Sequence, residues 1–480
     1  GVEKPVTEWL SKMGWTFKSN EDLKKYERAF SKPIIEQILI EKTAKINAIS
    51  EDVARHAVEL LLQNLNNPIP ILGNEAFLDK LVSGVTLSVK NNDIDVHFID
   101  FENIWENDFI VTNQFWVQGY KMVKTDIVLL VNGIPLVPIE AKQRARKGTN
   151  WMEGVKQFSP YDQRADKLYM CHTFGVACNG RITKYGIPGA SSSYFNEWKS
   201  TVLDVSQKNP ILEPTNNLCP TFQDKKDGLW NFDVARLPNG EVLERMKLGI
   251  IGLLQPARVL DILQHFIVFE REEGKIIKKV ARYQQLRAAN KIADRVISGD
   301  LDQGVIWHTQ GSGKSLTMVF LIRKLRSLDD LKDMKIVFIV DRTDLEDQLS
   351  ETAALTGEPV RIINRRNKLN QLSDDTGDVN MVMIHKFLDE KNISAQSLIE
   401  AGIVPKFETF DTINNSDRVL LLIDEAHRTQ GGDMGDNLFA AFPNAARIGF
   451  TGTPLLTEPH KIKTHDRFGG KPDGKGGPFI

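Results

Sequence analysis

The chain has 480 residues, too long for one ordinary core, so two or three domains are expected. With 61 basic and 63 acidic residues the formal net charge is −2, so any contact with nucleic acid must come from local basic patches. A composition that is 41% hydrophobic and 26% charged reads as soluble and globular, with no apolar run long enough to span a bilayer and no signal peptide. Cys171, Cys178 and Cys219 fit neither a metal spacing nor a disulfide framework, which points to a reducing cytoplasm.

In chain order, helices are expected at residues 32–41 and 51–64. Between Trp105 and Trp116 aromatic residues alternate with polar ones, the pattern of a sheet core. From Lys124 to Lys142 two apolar runs flank Asn132-Gly133, the strongest short signal for a β-hairpin. Asp126 opens the first strand, while Glu140 and Lys142 close the second and share a face. Two carboxylates and a lysine at one end of a hairpin are the parts of a Mg²⁺-dependent phosphodiesterase. The carboxylates Asp126 and Glu140 hold the metal, and Lys142 positions or polarises the nucleophile. The local sequence reads equally as an exposed strand-end ion pair.

The register decides between these readings. A two-residue turn would set Asp126 opposite Ile139, on the other face from Glu140. Pro135 and Pro138 cannot donate to a ladder, so a bulge that brings Asp126 beside Glu140 is expected. Downstream, Arg144, Arg146 and Lys147 form a basic cluster suited to phosphates, or an ordinary solvated loop. Gln157 and Tyr161 follow as a Gln-x-x-x-Tyr pair. His56 and His172 lack partner spacing and read as structural.

Turn formers and polar residues at 188–194 and 224–239 place a domain boundary near residue 240. A helix is expected over residues 257–271, and another opens at Arg282-Tyr283-Gln284-Gln285. Apolar runs at 305–307, 335–340, 379–384, 419–423 and 447–450 alternate with helical patterns. They read as buried parallel strands of a doubly wound α/β sheet, whose ligands bind at the C-terminal strand ends. At the first such end Gly311, Ser312, Gly313, Lys314 and Ser315 form a glycine-rich turn into a helix, a phosphate cradle. There Lys314 reaches the β- and γ-phosphates and Ser315 takes Mg²⁺. A second strand ends in Asp424-Glu425, one carboxylate for Mg²⁺ and one to orient a water. Asp341-Arg342, His385-Lys386 and Thr451-Gly452-Thr453 follow other strands, each of little weight alone. From Gly469 the tail has loop chemistry and no core to join.

In this order the C-terminal motifs resemble the first motor lobe of a superfamily 2 helicase or translocase. The resemblance implies that Gln284 and its neighbours read adenine and that Asp424, Glu425 and His427 line the ATP site. It also implies that Thr451, Gly452 and Thr453 couple nucleotide state to DNA, with Arg342, His385 and Lys386 near the strand. Asp126, Glu140-Ala141-Lys142, Gln157 and Tyr161 look like the PD-(D/E)xK nuclease of type I restriction enzyme R subunits, a family that places such a motor directly after the nuclease. The sequence departs from the two patterns at Thr125, where a proline is usual, and at His308, where the first glycine of the phosphate loop is usual.

The resemblance implies an α/β protein with a PD-(D/E)xK (restriction-endonuclease-like) mixed-sheet domain over residues 1–240. A RecA-like doubly wound parallel-sheet lobe follows over 241–468, and residues 469–480 lead toward a second lobe. The implied cofactors are ATP and Mg²⁺. The implied partners are double-stranded DNA and the methylation (M) and specificity (S) subunits of a type I complex, with no membrane and a cytoplasmic location. The implied activity is ATP-dependent DNA translocation with Mg²⁺-dependent cleavage, and ATP hydrolysis is expected to be weak without a second lobe. A helical carboxylate often completes such nuclease sites, and Glu36 and Glu59 are both open for that place. The competing reading is a stand-alone ATP-dependent nuclease-helicase of DNA repair.

Overall fold

The computed structural model describes residues 1–89, 92–143, 151–199, 245–298, 303–307, 313–340, 355–363, 365–374, 376–383, 411–424 and 433–451, with four two-residue strands between 225 and 243. The chain divides into two compact units, residues 1–203 with 207–283, and residues 204–206 with 284–480. Residues 245–283 thus pack with the first unit, beyond the composition change near residue 240.

The first unit opens with α1 (Glu3–Lys12), β1 (Thr16–Phe17), α2 (Asn20–Lys24), α3 (Glu36–Asn47), α4 (Glu51–Leu62) and α5 (Pro70–Ser83). A ribbon of β2 (Val85–Val89) and β3 (Asn92–Val96) leads into the long strands β4 (Phe109–Gln118), β5 (Met122–Val131) and β6 (Ile134–Ala141). Three short helices follow, α6 (Trp151–Phe158), α7 (Tyr161–Arg164) and α8 (Asp166–Cys171), then β7 (Gly175–Cys178) and β8 (Thr183–Gly186). The sheet order is β1-β4-β5-β6-β7-β8. Its β1/β4 and β6/β7 pairs are parallel and the others antiparallel, so the sheet is mixed. Val128 and Leu130 of β5 face a core built from Ile38 of α3, Phe158, Tyr161 and Leu168. By the two-residue period of a strand, Asp126 lies on that same helix-covered face.

The hairpin turn is left-handed at both central residues, Asn132 (φ 51°) and Gly133 (φ 83°), as a type I′ turn requires. From the turn Val131 pairs with Ile134 and Leu130 with Pro135, but Leu129 then pairs with Val137. Leu136 is the extra residue of a bulge, and its carbonyl accepts from the Thr173 N–H (2.8 Å) and hydroxyl (2.9 Å). The expected one-residue shift is therefore present, and it carries Asp126 to the rung of Glu140.

Short strand pairs β9 (Lys225–Lys226) with β10 (Leu229–Trp230) and β11 (Ala235–Arg236) with β12 (Val242–Leu243) precede α9 (Arg245–Leu253) and α10 (Pro256–His265). The helix expected over 257–271 stops at His265, and β13 (Ile267–Glu272) pairs with β14 (Lys275–Val280) instead. Ile267, Val268 and Phe269 favour a strand, and Glu273-Gly274, left-handed at φ 49° and 76°, closes the hairpin. The aromatics expected in the sheet core divide: Phe109 and Phe115 are buried, whereas Trp105 and Trp116 are exposed.

In the second unit α11 (Tyr283–Ser298) leads to β15 (Gln303–Trp307) and α12 (Lys314–Arg326). Then come β16 (Lys335–Val340), β17 (Val360–Ile363), β18 (Val379–Met383), β19 (Val419–Ile423), α13 (Asp433–Ala441) and β20 (Ala446–Thr451). The strands pair in the order β15-β20-β19-β16-β18-β17, every pair parallel. This is the six-stranded α/β sheet of a RecA-like lobe. The strands expected from their apolar runs are all present, and the partly exposed edge strand β17 is an addition. The fully buried β16, β18 and β19 show why continuous apolar runs marked the centre of the sheet.

Candidate active sites

At the end of the hairpin, the Lys142 Nζ lies 3.1 Å from Asp126 Oδ2 and 3.0 Å from Glu140 Oε2. Asp126 Oδ2 also accepts from the Ala141 N–H at 2.9 Å, which locks the carboxylate to the strand carrying its partners. Tyr161 donates its hydroxyl to Glu140 Oε1 at 3.0 Å, so the two Glu140 oxygens have different tasks. Gly154 of α6 makes this approach possible, because a Cβ there would stand 3.1 Å from Glu140 Cβ and 3.2 Å from Ala177 Cβ. Gln157, the other half of the Gln-x-x-x-Tyr pair, is exposed on α6.

Glu140 is buried, and burial followed by the nearby Asp126 charge pushes its pKa up to about 8. Burial draws the Lys142 ammonium down, but Glu140 and Asp126 more than offset this and hold it above the usual lysine value. Burial and then Glu140 raise the Tyr161 phenol well above its ordinary range, which keeps it a donor. Among the described residues no three His, Cys, Asp or Glu side chains converge as a metal cluster. Two hard carboxylate oxygens already sharing one cation nevertheless suit Mg²⁺, which binds through one or two carboxylates and keeps several waters. Here the ammonium of Lys142 is the cation the two carboxylates share.

Neither helical carboxylate expected from the sequence joins this cluster. Glu36 pairs with Lys32 at 3.0 Å, and Glu59 faces His56 at the surface. Glu3 lies on the first turn of α1. The charges of Asp126, Lys142, Glu140 and Glu3 all bear on the buried Cys178 thiol, whose pKa burial pushes up to about 12. Glu3 Oε2 accepts from the Gln114 side chain at 3.0 Å. Nothing in its local sequence separates Glu3 from any other acidic residue in a first helical turn. His172 is buried, in keeping with a structural role, whereas His56 is exposed.

In the second unit Gly313 caps α12 in the left-handed conformation, φ 83°. A side chain there would collide with Gln285, whose Nε2 would stand 2.4 Å from the new Cβ. Gln285 donates to the Gly313 carbonyl at 3.1 Å and is buried, while Gln284 beside it is exposed. Of the two glutamines that open α11, Gln285 is the one that meets Gly313. Lys314 Nζ lies 3.3 Å from Asp424 Oδ1, and the Asp424 N–H donates to Ile339 O at the end of β16. Ser315 is partly buried on the first turn of α12. Thr451 is buried at the end of β20 and pairs with Trp307. Lys314 and Asp424 therefore meet at the C-terminal strand ends. Gly311, Ser312, Glu425, His427, Gly452 and Thr453 lie outside the described residues, as do Arg144, Arg146, Lys147, Asp341, Arg342, His385 and Lys386.

Residues 1–192 match the family described as type I restriction enzyme R protein N terminus, and residues 284–473 match the SWI2/SNF2 ATPase family. The HindI endonuclease subunit of a type I restriction enzyme from Haemophilus influenzae is 28% identical, covering 98% of this chain and 43% of that protein. The putative type I restriction enzyme MjaIXP endonuclease subunit of Methanocaldococcus jannaschii is 26% identical over 95% of this chain and 42% of its own length. The chain thus spans less than half the length of these relatives. A solved structure of a nuclease-deletion mutant of the Type ISP restriction-modification enzyme LlaGI with a DNA substrate mimic aligns over 39% of this chain and 18% of its own. Its TM-score is 0.24 at 17% identity.

Proposed function

For a chain that belongs to the type I restriction enzyme R subunits, we propose that Asp126, Glu140 and Lys142 cut DNA phosphodiesters and that Lys314, Ser315 and Asp424 bind ATP. The single observation that carries the nuclease reading is the Lys142 ammonium held about equally, at 3.1 and 3.0 Å, by two carboxylates that only a bulge could bring together. An ordinary surface ion pair needs neither the bulge nor the burial of Glu140. Bound there, Mg²⁺ would supply an activated water and neutralise charge on the phosphate. Asp126 and Glu140 would hold the ion, and Tyr161 fixes Glu140 so that Oε2 faces it. Lys142 would move from the carboxylates to the phosphate or the attacking water. Arg144, Arg146 and Lys147, next along the chain, are proposed as phosphate contacts, with Gln157 close to the strand.

In the second unit Lys314 would leave Asp424 for the β- and γ-phosphates, freeing Asp424 and Ser315 for Mg²⁺. Glu425 would orient the hydrolytic water, with Gly311, Ser312, Gly313 and His427 lining the site. Gln284 is proposed to read adenine. Thr451, Gly452 and Thr453 are proposed to couple the nucleotide to DNA, with Arg342 and Lys386 touching the strand. The proposed division is nuclease over residues 1–240, motor lobe over 241–468 and a link over 469–480. In the whole protein the activity would be translocation on double-stranded DNA and cleavage, docked on M and S subunits in the cytoplasm. No helix among the described residues is long and apolar enough to cross a membrane.

The test is nicking of supercoiled plasmid by this chain with Mg²⁺ or Mn²⁺. Activity that disappears in Asp126→Ala and Lys142→Ala supports the reading. Activity that survives both substitutions overturns it.

A further inference from the structure

The β6 bulge and the Tyr161 contact, the two features that build the nuclease cluster, rest on one buried dipeptide, His172-Thr173. The ladder leaves Leu136 unpaired with β5, so its buried carbonyl needs a donor elsewhere. Thr173 supplies two, its N–H at 2.8 Å and its hydroxyl at 2.9 Å. Only with Leu136 as the extra residue does Asp126 share a rung with Glu140, and a slip of one residue would carry Asp126 to the other face. Beside Thr173, the His172 ring packs against Tyr161, with centroids 6.0 Å apart and planes at 45°. That same tyrosine holds Glu140 through its hydroxyl at 3.0 Å. Burial and then the Lys278 charge draw the His172 pKa down to about 3, so its ring is a neutral packing surface.

The dipeptide is itself pinned from outside the hairpin. Its His172 carbonyl accepts from the Lys278 ammonium of β14 at 2.6 Å and from the Asn74 side chain of α5 at 3.0 Å. Among the described residues no carboxylate pairs with Lys278, whose ammonium otherwise lies 5.6 Å from the Phe269 ring centre. A buried ammonium that meets one carbonyl and one ring costs the fold more than a methionine of like shape would. Packing alone therefore does not account for it. We propose that Thr173 is a positioning residue for the nuclease metal site, and that Lys278 is a second one, acting through the His172 carbonyl. Thr173 sets the register that brings Asp126 to Glu140, and the pinned His172 ring backs the tyrosine that aims Glu140. The proposal rests on the metal-dependent nuclease reading.

The experiment uses the full chain without DNA or nucleotide, and Mn²⁺ alone as the probe. Apo melting temperature and the Mn²⁺ concentration giving half of the thermal shift are measured for wild type, Thr173→Val, Thr173→Ser, Lys278→Met and Asp126→Ala. Loss of one positioning hydrogen bond should raise the Mn²⁺ midpoint about fivefold in Thr173→Val and in Lys278→Met. Thr173→Ser keeps the hydroxyl and should restore the wild-type midpoint. Lys278→Met should hold or raise the apo melting temperature, because Asn74 still serves the His172 carbonyl and a buried ammonium is gone. Plasmid nicking by Thr173→Val and Lys278→Met should recover toward the wild-type maximum at high Mn²⁺. A purely structural role predicts the reverse, a lower melting temperature with the Mn²⁺ midpoint unmoved. That result in both variants overturns the proposal, and in one alone it strikes that residue from it. Should Thr173→Val fail to fold, the Lys278→Met midpoint decides. If Asp126→Ala keeps the full Mn²⁺ response, the metal site itself is misplaced and the nuclease reading fails first.

Discussion

Replacing Glu140 by glutamine should stabilise the metal-free protein while abolishing nicking. The carboxyl is buried, and burial together with Asp126 lifts its pKa from 4.5 to about 8. A raised folded pKa means that Glu140 is stability-neutral below about pH 4.5, where it is protonated in both states. As pH rises from 4.5 toward 8 the unfolded chain ionises Glu140 first, and the folded state loses stability across that window. At about 1.4 kcal/mol per pH unit, the loss reaches at most about 5 kcal/mol above pH 8. Glutamine has no such titration; its single amide oxygen keeps the acceptor for Tyr161, while its NH₂ faces the Lys142 ammonium and reduces the gain. Even half of that amount, at about 2–4 °C per kcal/mol for a domain of this size, raises Tm by about 5 °C or more. The assay is thermal unfolding in EDTA from pH 5 to pH 9 for wild type and Glu140→Gln. The Tm difference should be small at pH 5, grow with pH and level off above pH 8. Mn²⁺ should then stabilise wild type and leave the variant unmoved. A variant that is less stable than wild type at pH 8, or a difference independent of pH, would refute the reasoning.

Tyr161→Phe leaves Glu140 Oε1 without its donor, so stability should fall by roughly 1 kcal/mol and nicking by about 10-fold or more. Equal nicking at all Mn²⁺ concentrations would contradict this. Lys142→Ala strands two carboxylates and should destabilise the apo protein by about 3 kcal/mol at pH 8, yet lower the Mn²⁺ midpoint because no ammonium competes. A higher Mn²⁺ midpoint would show that the lysine does not stand in the cation's place. Gln285→Ala removes the bond to the Gly313 carbonyl and should weaken binding of a fluorescent ATP analogue about fivefold, equivalent to about 1 kcal/mol. Unchanged binding in Gln285→Ala would contradict this.

Both sheets were legible in the sequence for different reasons. In the second unit β16, β18 and β19 are buried on both faces, so their apolar runs are unbroken and each sheet-end motif follows directly in the chain. In the first unit the decisive signals were Asn132-Gly133 and two prolines, which fix the turn and demand the bulge. The misses differ in cause. The exposure of Trp105 and Trp116 depends on tertiary neighbours far away in the chain, whereas the stop of α10 at His265 follows from the strand-favouring Ile267, Val268 and Phe269 next in the sequence. That Gln285 rather than Gln284 meets Gly313 follows from the rotation of α11 about its axis, which a single turn of sequence does not specify.

The two sites reach the same solution to one electrostatic problem. A carboxylate placed to hold a divalent ion is unfavourable without it, most of all when buried. In the nuclease cluster Lys142 lies against Asp126 and Glu140, and in the nucleotide site Lys314 lies against Asp424. Each lysine lowers the cost of the acidic group in the metal-free fold, and each has its proposed catalytic task elsewhere, on a phosphate. The release of the lysine and the arrival of the cation are then one exchange, so neither ammonium is free for phosphate until its carboxylates have another partner. On the proposed reading, that exchange would make metal occupancy a condition for substrate contact at both sites, because of where the two ammonium groups stand.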